Sequence, residues 1–290
     1  MVYASLGDFL SAATPLRGPV AVIFAEDTVG LAPTVLHHLD KGFAQVLVLA
    51  PFDLPDLALP TDHAPRVHGI RHPVHGDGAV PATLNRLIDA APGVWFYYGY
   101  NSEYFHYPFC ETRSVGDLIG FHFDERREAM VACIVDVYAG DLTAHPDGVD
   151  RDGALFDRGG YYALNRKDPD NGWVEKDRQI EIYGGLRWRY EQHVPWLNRR
   201  LDRVALFLAQ KGLRMRPDQT FSIEEYNTIN CAWHRNVTAA VVSFRAAKSL
   251  RNNPGPAAEI ADFRWPLSEP FRWSSQQLMD HGFMEPGQWF

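Results

Sequence analysis

Four short apolar runs fall within the first 105 residues, and their spacing constrains the fold more than any other feature. They are "PVAVIFA" (19–25), "AQVLVLAP" (44–51), "RVHGI" (66–70) and "VWFYY" (94–98). Between the first two, "TVGLAPTVLHHLDKG" sets Val29, Val35, Leu36 and Leu39 at helical spacing and stops at Gly42. "DLPDLALPTDHAP" reads as loop, and "AVPATLNRLIDAAPG" as a second helix before the fourth run. Strand, helix, strand, short strand, helix, strand predicts an open, largely parallel sheet with helices on its faces. Ligands of such sheets sit beyond the carboxyl ends of the strands. The residues that follow each run therefore carry the information: Ala25-Glu26-Asp27, Pro51-Phe52-Asp53, Arg71-His72 and Gly99 to Glu103.

After Phe105 the pattern changes. "DERREAMVACIVDVYAGDL" has apolar residues at Met130, Val131, Ile134, Val137 and Tyr138 and acidic residues at its start, so a helix is expected. Its β-branched run "MVACIVDVY" keeps a strand reading open. Residues 147–171, rich in Asp and Gly, read as loop. "EEYNTINCAWHRNVTAAVVSFRAAKSLRNNPG" is expected to end in a long helix stopped at Asn253-Pro254-Gly255. The aromatic tail "FRWPLSEPFRWSSQQLMDHGFMEPGQWF" is expected to pack back on the body.

The totals narrow the class. A chain of 290 residues, 46% hydrophobic and 22% charged, is globular. A net charge of -8 argues against a nucleic-acid partner. No apolar run reaches the roughly 18 to 20 residues that span a bilayer. The stretch "MVYASLGDFLSAATPLRGPV" lacks a basic start followed by a continuous apolar run, so no signal peptide is expected. Three scattered cysteines (Cys110, Cys133, Cys231) fit a reducing cytoplasm rather than a disulfide framework. There is no Gly-x-Ser-x-Gly, Walker, Gly-x-Gly-x-x-Gly or His-Glu-x-x-His pattern, which disfavours hydrolase, kinase-like and dehydrogenase chemistry.

The charged and polar candidates each have two readings. Glu26 and Asp27 suit contact with a nucleotide base or ribose, or capping of the next helix. Asp53 has the same choice after the second strand. Asn101 and Ser102 suit sugar hydroxyls, or any turn. Glu103 could face a donor phosphate, a metal or an acceptor hydroxyl, or be a surface carboxylate. Arg187, Arg189, Arg199, Arg200 and Arg203 form the densest basic group. Guanidinium forks bind phosphate, or these arginines pair with "DERRE" and "EKDRQIE". Phosphate contact is favoured for Arg187 and Arg189, which follow Gly184-Gly185, and ion pairing for Arg199 to Arg203. His234 in "CAWHRN" could act as ligand or base, or be merely hydrogen-bonded. Cys231 and His234 lack a second pair to complete a zinc site. His37-His38 reads as packing.

The residues resemble the family 2-like glycosyltransferases of the GT-A fold over residues 19–250. Ala25-Glu26-Asp27 corresponds to the acidic end of that family's first strand, and His38-Leu39-Asp40-Lys41-Gly42 to its His-Leu-x-x-Gly helix pattern. "WFYYGYNSEYF" lies against its Trp-strand segment ending in Asp-x-Asp-Glu-Phe, with Tyr100 and Ser102 in place of the two aspartates and Glu103-Tyr104 matching Glu-Phe. "GGLRWR" and "RRLDRVALF" look like its Gly-Gly-x-Arg and basic-apolar segments, and His234 lies where relatives often place a histidine. The resemblance implies a single domain over 1–290: a nucleotide-binding half (19–105), an acceptor half (106–250) and a docked C-terminal segment (251–290). It implies sugar transfer from a nucleotide-diphosphate donor to a glycan acceptor such as a polysaccharide. Donor contacts would come from Glu26, Asp27, Asp53, Asn101, Ser102, Arg187, Arg189 and His234, with Glu103 as base. The family's aspartates hold Mn²⁺ or Mg²⁺, cations that want several anionic oxygens. Tyr100 and Ser102 are neutral near pH 7. Either cationic side chains replace the metal, or the chain is a non-catalytic carbohydrate- or nucleotide-binding protein built on the same fold.

Overall fold

The computed structural model describes residues 1–12 and 15–290. In chain order its strands are β1 (Val2–Tyr3), β2 (Val20–Phe24), β3 (Gln45–Ala50), β4 (Val67–Arg71), β5 (Trp95–Tyr100), β6 (Glu103–His106), β7 (Ala129–Tyr138), β8 (Leu155–Asp157), β9 (Tyr162–Asp168), β10 (Val174–Tyr183), β11 (Asp202–Leu208), β12 (Ala239–Ser243) and β13 (Ser268–Pro270). The helices are α1 (Leu6–Ser11), α2 (Leu31–Asp40), α3 (Ala79–Ala90), α4 (Val115–Asp124), α5 (Gly185–Arg189), α6 (Arg245–Asn252), α7 (Pro254–Glu259) and α8 (Ser275–Asp280). They form two compact units. The first is Met1–Tyr104, Thr112–Met130 and Val204–Asn227; the second is Phe105–Glu111, Val131–Arg203 and Thr228–Phe290.

The first unit is a mixed α/β body around a mainly parallel sheet. Its strands run in the order β1-β4-β3-β2-β5, all parallel, with β11 antiparallel on β5. Every residue of β2 is buried, as is expected of a strand covered on both faces. α2 starts after Gly30 in the left-handed region and hands over to Gly42, also left-handed, as the Gly42 stop predicts. The capping box of α4 is built by Ser114 and Asp117. Register sets Phe24 opposite Tyr100 and Leu49 opposite Ile70, so all four strands deliver their ends to one edge. β5 runs two residues further than the sequence reading, which puts Gly99 and Tyr100 inside it.

In the second unit β7 pairs in parallel with β12 and antiparallel with β8, which pairs with β13, while β9 and β10 form a separate hairpin. Here the sequence reading is corrected. Residues 129–138 are strand, not helix: all ten are buried, and a run buried on both faces has no periodicity by which to tell the two apart. Val131, Ile134, Val135 and Val137 then favour the extended chain. The segment 147–171 is not all loop, since it contains β8 and β9. The expected long helix is β12 followed by the short α6. The tail lies within this unit and buries Phe263, Phe271, Leu278, Phe283 and Trp289. Among the described residues no helix is long and apolar enough to cross a membrane.

One buried group in the first unit sets a pH limit. His122 on α4 is buried, its ring 6.0 Å from that of Trp95, and neither of its nitrogens has a hydrogen-bond partner among the described residues. Burial, with the Arg127 charge added, lowers its pKa to about 3. The folded ring stays neutral while the unfolded one protonates below about 6.5, so stability falls as pH drops from there toward 3. Chemical denaturation at pH 7 and pH 5 should show wild type losing about 2 kcal/mol more than His122→Phe. Equal losses in the two proteins would exclude His122 as the source.

Candidate functional site

The sheet order of the first unit reverses between β2 and β5: the chain moves from β2 outward through β3 and β4, then returns to place β5 on the other side of β2. The crevice at such a reversal is where open α/β sheets bind ligands. One side chain organises it. Asn101, fully buried, accepts at Oδ1 from the Glu26 N–H (2.9 Å) and donates from Nδ2 to Asp27 Oδ1 (2.6 Å) and the Val29 carbonyl (2.9 Å). Asp27 Oδ1 also accepts from the Val29 N–H (2.8 Å), closing an Asx turn. Ser102 donates its hydroxyl to the Val29 carbonyl (2.8 Å), and its N–H goes to Thr34 Oγ1 (2.8 Å). At Gly30 a Cβ would lie 2.3 Å from Ser102 Oγ, so this close approach requires glycine. Ser102 itself sits at φ 63°, a conformation few non-glycine residues adopt. Glu103 is fully buried, and its Oε2 accepts from the Tyr100 N–H (2.9 Å).

Glu26, Asp27, Asn101, Ser102 and Glu103 thus come together at the ends of β2 and β5. Asp53 follows β3 at the same edge, almost fully exposed, in an ion pair with Arg71 (2.5 Å). That exposed pair is worth little, so a ligand can take over either partner. The donor set does not fit a resident divalent metal. Tyr100 and Ser102 offer hydroxyls rather than carboxylates, the Ser102 hydroxyl is given to a carbonyl, and Glu103 accepts from a backbone N–H. Among the described residues no three His, Cys, Asp or Glu side chains converge to hold an ion.

Arg187, Arg189 and His234 belong to the second unit. Arg187 is buried: its Nε reaches Asp136 Oδ1 (3.3 Å), and its Nη1 donates to the carbonyls of Asn198 (3.2 Å) and Arg200 (2.9 Å). Arg189 grips Asp157 through Nε to Oδ2 (2.8 Å) and Nη2 to Oδ1 (3.2 Å). Asp157 Oδ1 also accepts from the Tyr138 hydroxyl (2.5 Å) and Trp265 Nε1 (2.7 Å). Burial pushes both carboxyls above the ordinary range, opposed in each case by the arginine. The same burial pushes the neighbouring Cys133 thiol up to about 12, which leaves it inert. Arg199 pairs with Glu191 and Arg200 with Asp202, two carboxylates that lie outside the acidic segments named from the sequence. His234 lies in a loop, its ring stacked at 6.1 Å on Trp233.

Sequence reasoning missed Asp136 and Asp157, the partners of both arginines. The available signal was a lone aspartate inside the apolar run "MVACIVDVY", since a buried charge must be paired.

No family model matches the chain, and no curated protein matches it. Among the solved structures with a partial likeness are two of S. aureus TarS. The crystal structure of S. aureus TarS 1-349 in complex with UDP is 14% identical over 40% of this chain and 35% of that one, with a TM-score of 0.28. The crystal structure of S. aureus TarS 1-349 is 14% identical over 78% of this chain and 58% of that one, with a TM-score of 0.31. The chain therefore spans about a third of the first and somewhat over half of the second.

The geometry makes a definite statement about Arg187. Removing it leaves Asp136, fully buried, without its counter-charge. Arg187→Ala should cost about 3 to 5 kcal/mol in urea denaturation, and Asp136→Asn combined with Arg187→Met should recover much of that. A loss under about 1 kcal/mol would mean that the pair does not hold the fold.

Proposed function

We propose that this protein binds a nucleotide-diphosphate sugar at the reversal between β2 and β5 and transfers the sugar to a glycan acceptor without a divalent metal. The observation that carries the reading is the reversal itself, with the Glu26-Asp27 turn pinned into it by the buried Asn101 amide. Glu26 and Asp27, both half-buried, offer carboxylate oxygens to ribose hydroxyls or base N–H groups. Asp53 and Arg71 add an exchangeable pair of opposite charges at the same edge. Asn101 and Ser102 act through position, holding the turn rather than touching the donor. The sequence resemblance to family 2-like glycosyltransferases supplies the reaction class. Arg187 and Arg189 are engaged with Asp136 and Asp157, so the reading draws no leaving-group stabilisation from them.

A second reading, nucleotide binding without transfer, is favoured by one observation. Glu103, the carboxylate that the resemblance offers as base, is fully buried against the Tyr100 amide. A base must come within hydrogen-bond reach of the proton it takes.

Calorimetric titration with uridine, guanosine and thymidine diphosphates decides the matter. One of them should bind, with an affinity that changes little between Mn²⁺ and EDTA. Glu26→Gln should weaken it about tenfold, the loss expected for one charge-assisted hydrogen bond of roughly 1.5 kcal/mol. No binding by any of the three removes the proposal, and strict dependence on Mn²⁺ removes its metal-free form. Binding with no hydrolysis or transfer of the matching sugar nucleotides would select the second reading.

A further inference from the structure

The short helix α5 sorts its side chains by side. Arg187 and Arg189 turn inward onto buried carboxylates, while Trp188 between them is 46% exposed. A second indole, Trp265 from the C-terminal segment, is fixed in place because its Nε1 donates to Asp157 Oδ1 (2.7 Å). The two indoles converge on one backbone position. A Cβ at Gly160, whose φ is +86°, would lie 3.4 Å from Trp265 and 3.9 Å from Trp188. The Arg189 guanidinium lies 5.0 Å from the Trp265 ring and 5.4 Å from that of Tyr190. Trp188, Trp265 and Tyr190 line an open cleft of about 440 Å³, to which Glu191 and Gln192, both exposed, add a carboxylate and an amide.

We infer that this cleft is a sugar-binding subsite for a pyranose unit of a neutral glycan. A pyranose presents a flat face of C–H groups and a rim of hydroxyls. It therefore needs a rigid aromatic surface with hydrogen-bonding groups beside it, which is what the indoles, the Glu191 carboxylate and the Gln192 amide provide. The volume falls in the roughly 300 to 1,000 Å³ that ordinarily accommodate a small ligand. Electrostatics disfavour an anionic ligand: the cation in the lining, Arg189, is already neutralised by its two bonds to Asp157, and the other lining residues bring no positive charge. The rigidity has a source in the sequence. Trp265 and Arg189 are held by one buried carboxylate, so the platform is organised before any ligand arrives, and little ordering cost is left for binding. As the acceptor subsite of a transferase the cleft rests on the reading above; as a sugar-binding surface it is tested alone.

The test is titration of the full chain with cellohexaose, maltohexaose, chitohexaose and xylohexaose, followed by calorimetry and by intrinsic tryptophan fluorescence. At least one should bind in the micromolar to millimolar range and change the tryptophan emission. Trp188→Ala should weaken that glycan at least about tenfold with no change in melting temperature, because Trp188 is exposed and its removal leaves Asp157 and its donors intact. Trp265→Phe, which keeps a ring but loses the bond to Asp157, should weaken it less than Trp188→Ala does. Failure of all four glycans at millimolar concentration overturns the inference, as does equal binding by Trp188→Ala. Nucleotide diphosphate binding should be the same in Trp188→Ala and wild type. Glycan binding without nucleotide binding would sink the transferase reading and leave the cleft standing; the converse would sink the cleft alone.

Discussion

The carboxamide of Asn101 ties the turn after β2 to the end of β5 in the first unit. β2 and β5 are adjacent in the sheet and about 75 residues apart in the chain, and a short turn at 25–30 leads from β2 to α2. Three groups of the turn after β2 converge on the amide: the Glu26 N–H, the Val29 carbonyl and Oδ1 of Asp27. Asn101 meets all three, because an amide both donates and accepts. An aspartate at 101 could accept from Glu26 but could not donate to Asp27, and would set two carboxylates against each other. The polar end of β5 thus satisfies the protein itself. Tyr100 lies within the strand, and the Ser102 hydroxyl is bonded to the Val29 carbonyl.

The same economy explains what was readable in advance. β2, β3, β4 and β5 could be recognised because each apolar run is bounded by turn formers and separated from the next by a loop or a helix of clear period. The edge at which they end then followed from parallel pairing. What could not be read was the direction in which Asn101, Ser102 and Glu103 point. Three polar residues at a strand end look alike whether they face a ligand or each other. The distinction rests on Gly30 and Thr34, distant in sequence, whose spacing carries no signal. β7 was misjudged for a different reason. Its burial is uniform, so neither a period of 2 nor one of 3.6 is imposed on it.

The second unit is organised by charge where the first is organised by an amide. Asp136 on β7 and Asp157 on β8 are buried, and each draws in one arginine of α5. "GGLRWR" could be read as a phosphate clamp because guanidinium forks fit phosphate and carboxylate equally well. The deciding factor, a buried aspartate in each of two strands, lies about 50 and about 30 residues earlier in the chain. Buried pairs of this kind add little net stability, since desolvation offsets most of the attraction, but they discriminate strongly against any arrangement that separates them. They fix α5 in one rotation about its axis, and that rotation is what exposes Trp188.

Asp157 therefore couples the interior to the surface. Its Oδ1 takes the Tyr138 hydroxyl, the Trp265 indole N–H and one Arg189 nitrogen, and its Oδ2 takes another. Burial favours the protonated acid, while the arginine and the other donors favour the carboxylate. The donors matter beyond their individual strength, because a protonated Asp157 would lose its hold on Arg189 and part of its capacity for Trp265 together. One indole wall of the open cleft is thus set by the ionisation of a residue that solvent scarcely reaches, and a binding surface that looks purely aromatic has its geometry determined by a buried charge.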